Sequence, residues 1–122
     1  MSSNPINHYM PNLIIDPSAK PVQYTDYASI KAACAEALKD AAAKGETEVR
    51  LDSIEMKEKP SDNFVFVHAQ LQEIVEFMQE ESSVKEVSIV CPTEDNARMY
   101  KVVYNFYYPV DKSSRMKDSH WD

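Results

Sequence analysis

Gly45 is the only glycine among 122 residues. No other feature restricts this chain's fold and chemistry as much. Loops that cradle phosphate need glycine, for positive φ and for close approach of backbone to ligand. A chain with one glycine must turn on proline, asparagine, aspartate and serine instead. Its one residue suited to a left-handed conformation belongs at a helix C-terminus. Gly45 closes the run YTDYASIKAACAEALKDAAAKG, where Tyr27, Ile30, Cys34, Leu38 and Ala41 fall three and four apart. That spacing is one face of a helix. Thr25 or Asp26 can cap its start.

The other elements follow from periodicity. ETEVRLDSIEM alternates through Val49 and Leu51, as a half-buried strand does, and slips between Ser53 and Ile54. The slip marks a bulge or the strand's end. KEKPSDN reads as a loop, with Pro60 and Asp62 as turn formers. FVFVHAQLQEIVEFMQEESS becomes helical, with a stripe of Val67, Leu71, Ile74, Val75 and Met78. VKEVSIVC places Val87, Ile89 and Cys91 on one face and Ser88 and Val90 on the other, which suits an internal strand. NARMYKVVYNFYY admits two readings. Thr93 with Glu94 and Asp95 caps a helix. The alternation of Tyr100, Val102, Tyr104, Phe106 and Tyr108 suits a strand. Residues 99–108 are therefore helix first and strand second.

Four of the seven prolines fall in residues 1–23, which read as an extended arm with a short edge strand at Leu13–Ile15. Residues 24–110 form a single α/β domain, and 111–122 a flexible polar tail. Strands that alternate with helices imply a short, mostly parallel sheet with flanking helices and right-handed crossovers, a small three-layer-type unit.

The formal charge of −7 argues against nucleic acid or an anionic membrane as partner. No run approaches the about 18 apolar residues of a membrane helix. MSSNPINHYMPN lacks the basic start and apolar core of a secretory signal. Cys34 and Cys91 have no metal spacing and lie in apolar surroundings. An intracellular compartment, cytoplasmic or nuclear, is expected, with neither metal nor cofactor.

The stretches IKAACAEALKDAAAKG, EVRLDSI, LQEIVEFMQEESSVKEVSIVC and TEDNARMYKVV, in this order, resemble the C-terminal half of a macro domain, the ADP-ribose-binding family. The resemblance spans residues 26 to about 106 and rests on pattern more than on motif. It implies a partial, degenerate macro-like fold. Where the family carries its glycine-rich phosphate loop, this chain has EMKEKPSDNFVFV. By position, the resemblance leaves Asn63 and Phe64 as ligand-binding candidates. Half of such a fold also leaves sheet edges for a partner or a second copy to complete.

Of three histidines, His8 and His120 lie in the terminal segments. His68 with Cys91 and a carboxylate is a conceivable nucleophilic set, but no catalytic residue is assigned. The aromatic run suits a protein interface, with Tyr100, Tyr104, Tyr107 and Tyr108 as its candidates. The function expected is a non-catalytic interaction module or assembly subunit, working with a protein partner or a second copy. The alternative is a binder of ADP-ribose or another nucleotide, or a small hydrolase, whose site is completed across a homo-oligomer.

Overall fold

The computed structural model describes residues 9–24 and 26–108. The first eight residues and the tail from 109 lie outside the described residues, and with them His8 and His120. The elements are β1 (Asn12–Ile15), α1 (Tyr27–Ala43), β2 (Glu48–Asp52), α2 (Pro60–Met78), β3 (Glu86–Cys91) and α3 (Glu94–Tyr107). The sheet is parallel throughout, in the order β1-β3-β2. This is the expected α/β class, with the expected internal strand.

Local chemistry explains most boundaries. Asp26 caps α1 by accepting from Ser29 N at 2.7 Å. At the other end Gly45 takes φ +73°, donating to Ala42 O, and Glu46 N reaches Ala41 O. That pair of bonds is a Schellman closure, and only glycine enters it without strain. Thr93 caps α3 by accepting from Asn96 N at 3.1 Å, and α3 runs to Tyr107. The helical reading of residues 99–108 therefore holds as far as Tyr107. Helix period sends Tyr100, Val103 and Tyr104 inward and leaves Val102 and Phe106 exposed.

One boundary differs from expectation. Pro60 and Asp62 are not turn residues in a loop; they open α2. Proline is favoured at the first helical position, where its missing N–H has no partner to lose. An aspartate in the first turn suits the helix dipole. Asn63 and Phe64 are therefore helical.

Parallel register puts partnered residues on one face. Leu13, Val49, Leu51, Val87, Ile89 and Cys91 share the face that packs with the buried stripes of all three helices. The other face carries Asn12, Ile14, Arg50, Asp52, Ser88 and Val90, none of which joins that core. Flanking helices were expected; among the described residues they form a single layer.

Residues 16–24 cross the sheet along the carboxyl ends of its strands. Asp16 N bonds to Cys91 O at 2.8 Å. Val22 then bridges Ile54, with Val22 N donating to Ser53 O at 2.9 Å. Ser53 N bonds to Val90 O, so a continuing ladder would bring the N–H of residue 92 to Ser53 O. Pro92 has none, and Val22 supplies it. Both Ser53 and Ile54 are buried, so the alternation slip is the strand end. This segment, not α1, carries the chain from β1 to the far side of the sheet.

Candidate functional site

The crevice at the carboxyl ends of the strands is where open parallel sheets usually hold ligands. Here it lies between the first turns of α2 and α3. A cavity of about 410 Å³ is lined by Pro21, Met56, Asn63, Pro92, Asn96 and Met99, with Thr93 and Asp95. The residues at this end are largely occupied with one another. Asn63 is 7% exposed; its Oδ1 accepts from Lys57 N at 2.6 Å and its Nδ2 donates to Lys57 O at 3.0 Å. It ties the approach to α2 against the helix. Phe64 turns from the cavity and packs edge-on against Phe106, centroids 5.7 Å apart.

Beneath the cavity runs a buried polar chain. Tyr100, with no accessible surface, donates its hydroxyl to Gln70 Oε1 at 2.5 Å and accepts from Ile54 N at 2.9 Å. Gln70 Nε2 donates to Asp52 O, and Asn96 Nδ2 to Ile54 O. Together these satisfy the backbone that the end of β2 leaves unpaired. Burial holds the Tyr100 phenol well above its ordinary range, so it stays protonated and able to donate. Asn96 Oδ1 and Ser53 Oγ are buried without a hydrogen-bond partner among the described residues. Glu94 and Asp95 occupy the first turn of α3 and Asp62 that of α2. These carboxylates already use the positive ends of the helix dipoles, which makes the crevice a poor host for phosphate.

The nucleophilic set is not poised. Cys91 is fully buried in the core, and burial pushes its thiol up to about 11. A reactive cysteine needs the opposite shift. His68 stacks on Tyr107 with centroids 3.7 Å apart, and burial together with Lys31 lowers its pKa. Among the described residues, no group of three metal-ligating side chains could hold an ion, and no helix is long and apolar enough to cross a membrane.

The second candidate region is on the surface. Among the described residues five large hydrophobic side chains are exposed: Ile15, Val65, Val102, Phe106 and Tyr107. All but Ile15 belong to α2 and α3. Phe106, at 67% exposed, contacts both Phe64 and Tyr107, and Tyr107 covers His68. The four tyrosine candidates divide. Tyr107 is at the surface and Tyr108 half-buried, whereas Tyr104 is 7% exposed and Tyr100 is core. Residue type grouped them, and their burial divides them by position along α3, with Tyr107 and Tyr108 at its end. Phe106 and Val102 went unselected in the sequence. Their signal was the helical spacing of four that places them opposite the buried stripe.

Comparison with protein-family models, with curated proteins and with solved structures finds no match.

Proposed function

We propose that this chain is a non-catalytic protein-interaction module or assembly subunit with a degenerate macro-like fold, docking through the exposed aromatic surface of α2 and α3. The carrying observation is the gathering of Val65, Val102, Phe106 and Tyr107 there while the rest of the described surface holds only Ile15 of that kind. Contiguous exposed apolar patches on small proteins mark interaction sites, and interface cores enrich aromatic residues.

A second reading, a nucleotide-type ligand site, draws on the 410 Å³ cavity, on Asn63 at its wall and on the unpaired Asn96 Oδ1. One experiment separates the two. The melting temperature of the full chain is followed against ADP-ribose and, in parallel, its mass against its own concentration. The interaction reading expects no thermal shift at millimolar ADP-ribose and an association that Phe106→Asp removes. A shift of several degrees that Asn63→Ala abolishes would replace it with the ligand reading.

A further inference from the structure

The two edges of the sheet are built differently. β2, at one edge, carries Glu48, Arg50 and Asp52, and Gln70 Nε2 already holds Asp52 O. Charged residues are a usual guard of an open edge. β1, at the other edge, is Asn-Leu-Ile-Ile and carries no charge. Its register fixes which way its backbone faces. Asp16 N bonds to Cys91 O, so Asn12, Ile14 and Asp16 turn their peptide groups toward β3. Leu13 and Ile15 therefore turn theirs outward. No hydrogen bond among the described residues reaches those two N–H and two C=O groups. Pro11 and Pro17 stand two residues beyond them on either side. Proline offers no N–H, so the open edge is confined to Leu13 and Ile15.

A groove runs beside this edge. α3 packs over β1 and β3, and a cavity of about 560 Å³ lies along β1. Its walls include Met10, Leu13 and Ile15 from the strand side and Glu94, Arg98 and Lys101 from α3. Leu13 and Ile15 point to the helix side of the sheet, as their partners Ile89 and Cys91 do. Every second side chain of a strand added here enters the groove. We propose that the outer edge of β1 takes an extended acidic segment of a partner protein as an added strand, with its carboxylates toward Lys101 and Arg98. In such additions the backbone supplies affinity and alternate side chains supply specificity. Charge selects the acidic segment. The groove holds two cations to one anion, on a chain of formal charge −7. Lys101 is exposed and makes no ion pair among the described residues. Arg98 is paired with Asp95 at 2.9 Å, with side chains 66% and 88% exposed. Such exposed pairs are worth little, so an incoming carboxylate can share the guanidinium. Glu94, Arg98 and Lys101 follow at spacings of four and three, one stripe of α3 with its acid at the start.

Two octapeptides test this, one alternating valine with glutamate and one alternating valine with lysine. Each is titrated to millimolar concentration into the full chain at low salt, with amide NMR shifts as the readout. The glutamate peptide should bind and move the Leu13 and Ile15 amides most. The lysine peptide should bind roughly 10-fold more weakly, or worse. Ile15→Pro removes an outward N–H and no bond to β3, and edge strands tolerate proline. The fold should persist and the binding should be lost. Lys101→Glu should weaken binding roughly 2- to 30-fold, from one attraction lost and one repulsion gained. Phe106→Asp should leave it unchanged, which separates this edge from the aromatic surface. In the free chain the Ile15 amide should exchange its hydrogen fast and the Asp16 amide slowly. Protection of Ile15 in a free, monomeric chain means that another segment of the chain covers the edge, and overturns the proposal. Self-association that Ile15→Pro removes overturns it in favour of a second copy. Equal binding of the two peptides, or no binding of the glutamate peptide at millimolar concentration, overturns it outright.

Discussion

The carboxyl end of the sheet and the exposed side of α2 and α3 are built on opposite plans. At the first, most of the polar groups described are bonded within the chain, Asn63 to Lys57, Tyr100 to Gln70 and Ile54, Ser53 O to Val22, with Asn96 Oδ1 and Ser53 Oγ the exceptions. At the second, large apolar side chains face solvent, and Phe106 there contacts Phe64 and Tyr107. In α/β folds the carboxyl end is the customary place for ligands. Here residues 16–24 run across it and acidic first turns flank it. The difference teaches that position in a fold is a weak guide to function when the local chemistry has been turned to closure.

Substitutions should separate the two regions, beginning with the largest effect. Tyr100→Ala removes a fully buried ring and should cost about 3–5 kcal/mol of stability in urea unfolding. Tyr100→Phe isolates the polar contribution. It leaves Ile54 N and Gln70 Oε1 without their hydroxyl partner and should cost about 1–3 kcal/mol. If Tyr100→Phe were neutral, the buried chain would not be what closes this end. Thr93→Ala deletes the cap of α3 and should cost about 1 kcal/mol. At the opposite region, Phe106→Asp should change monomer stability by no more than about 0.5 kcal/mol, because the side chain is exposed. A larger loss would mean that the aromatic surface is part of the core.

Two further measurements sharpen the contrast. Burial pushes the Cys34 thiol up to about 12 and Cys91 to about 11. Both should resist thiol reagents in the native state and react only as fast as the chain unfolds. The smallest effect concerns pH. His68 is held below its ordinary 6.5 by burial and by Lys31, so the folded state binds fewer protons than the unfolded one. The stability linked to neutral His68 is present above 6.5 and is lost as pH falls from there through the lower folded value. Melting temperature measured between about pH 7 and about pH 5 should fall less in His68→Gln than in the parent.

Much of the fold was legible because single residues carried strong local meaning. Gly45 marked the end of α1, Thr93 the start of α3, and the double-sided apolarity of VSIVC the central strand. The start of α2 was not legible, since proline and aspartate serve turns and first helical turns equally well. The candidate sites were harder. Gln70 and Asn63 read as ordinary helix polar residues, and only tertiary packing gives each a backbone group to satisfy. The tyrosines were grouped by type. Tyr100 and Tyr107, seven residues apart, share a helical phase, and they differ because Tyr107 is the last residue of α3: Tyr100 is core and Tyr107 is 40% exposed. Nor could periodicity show that residues 16–24 would cross the strand ends, because that path is held by backbone bonds from Asp16 to Cys91 and from Val22 to Ser53, not by a repeating pattern.

The placement of β1 has a consequence for how the molecule is made. Among the described residues Asn12 to Ile15 pair only with Ser88 to Cys91, more than seventy residues later in the chain. Before β1 begins, the Tyr9 hydroxyl accepts from Val87 N at 2.9 Å and donates to Val87 O at 3.3 Å, extending the same dependence. Contacts so distant in sequence form late. During synthesis the amino-terminal segment must therefore wait, with its prolines keeping it out of helix, until almost the whole domain has left the ribosome. Of the described strands, the earliest in sequence can be placed only once the latest exists.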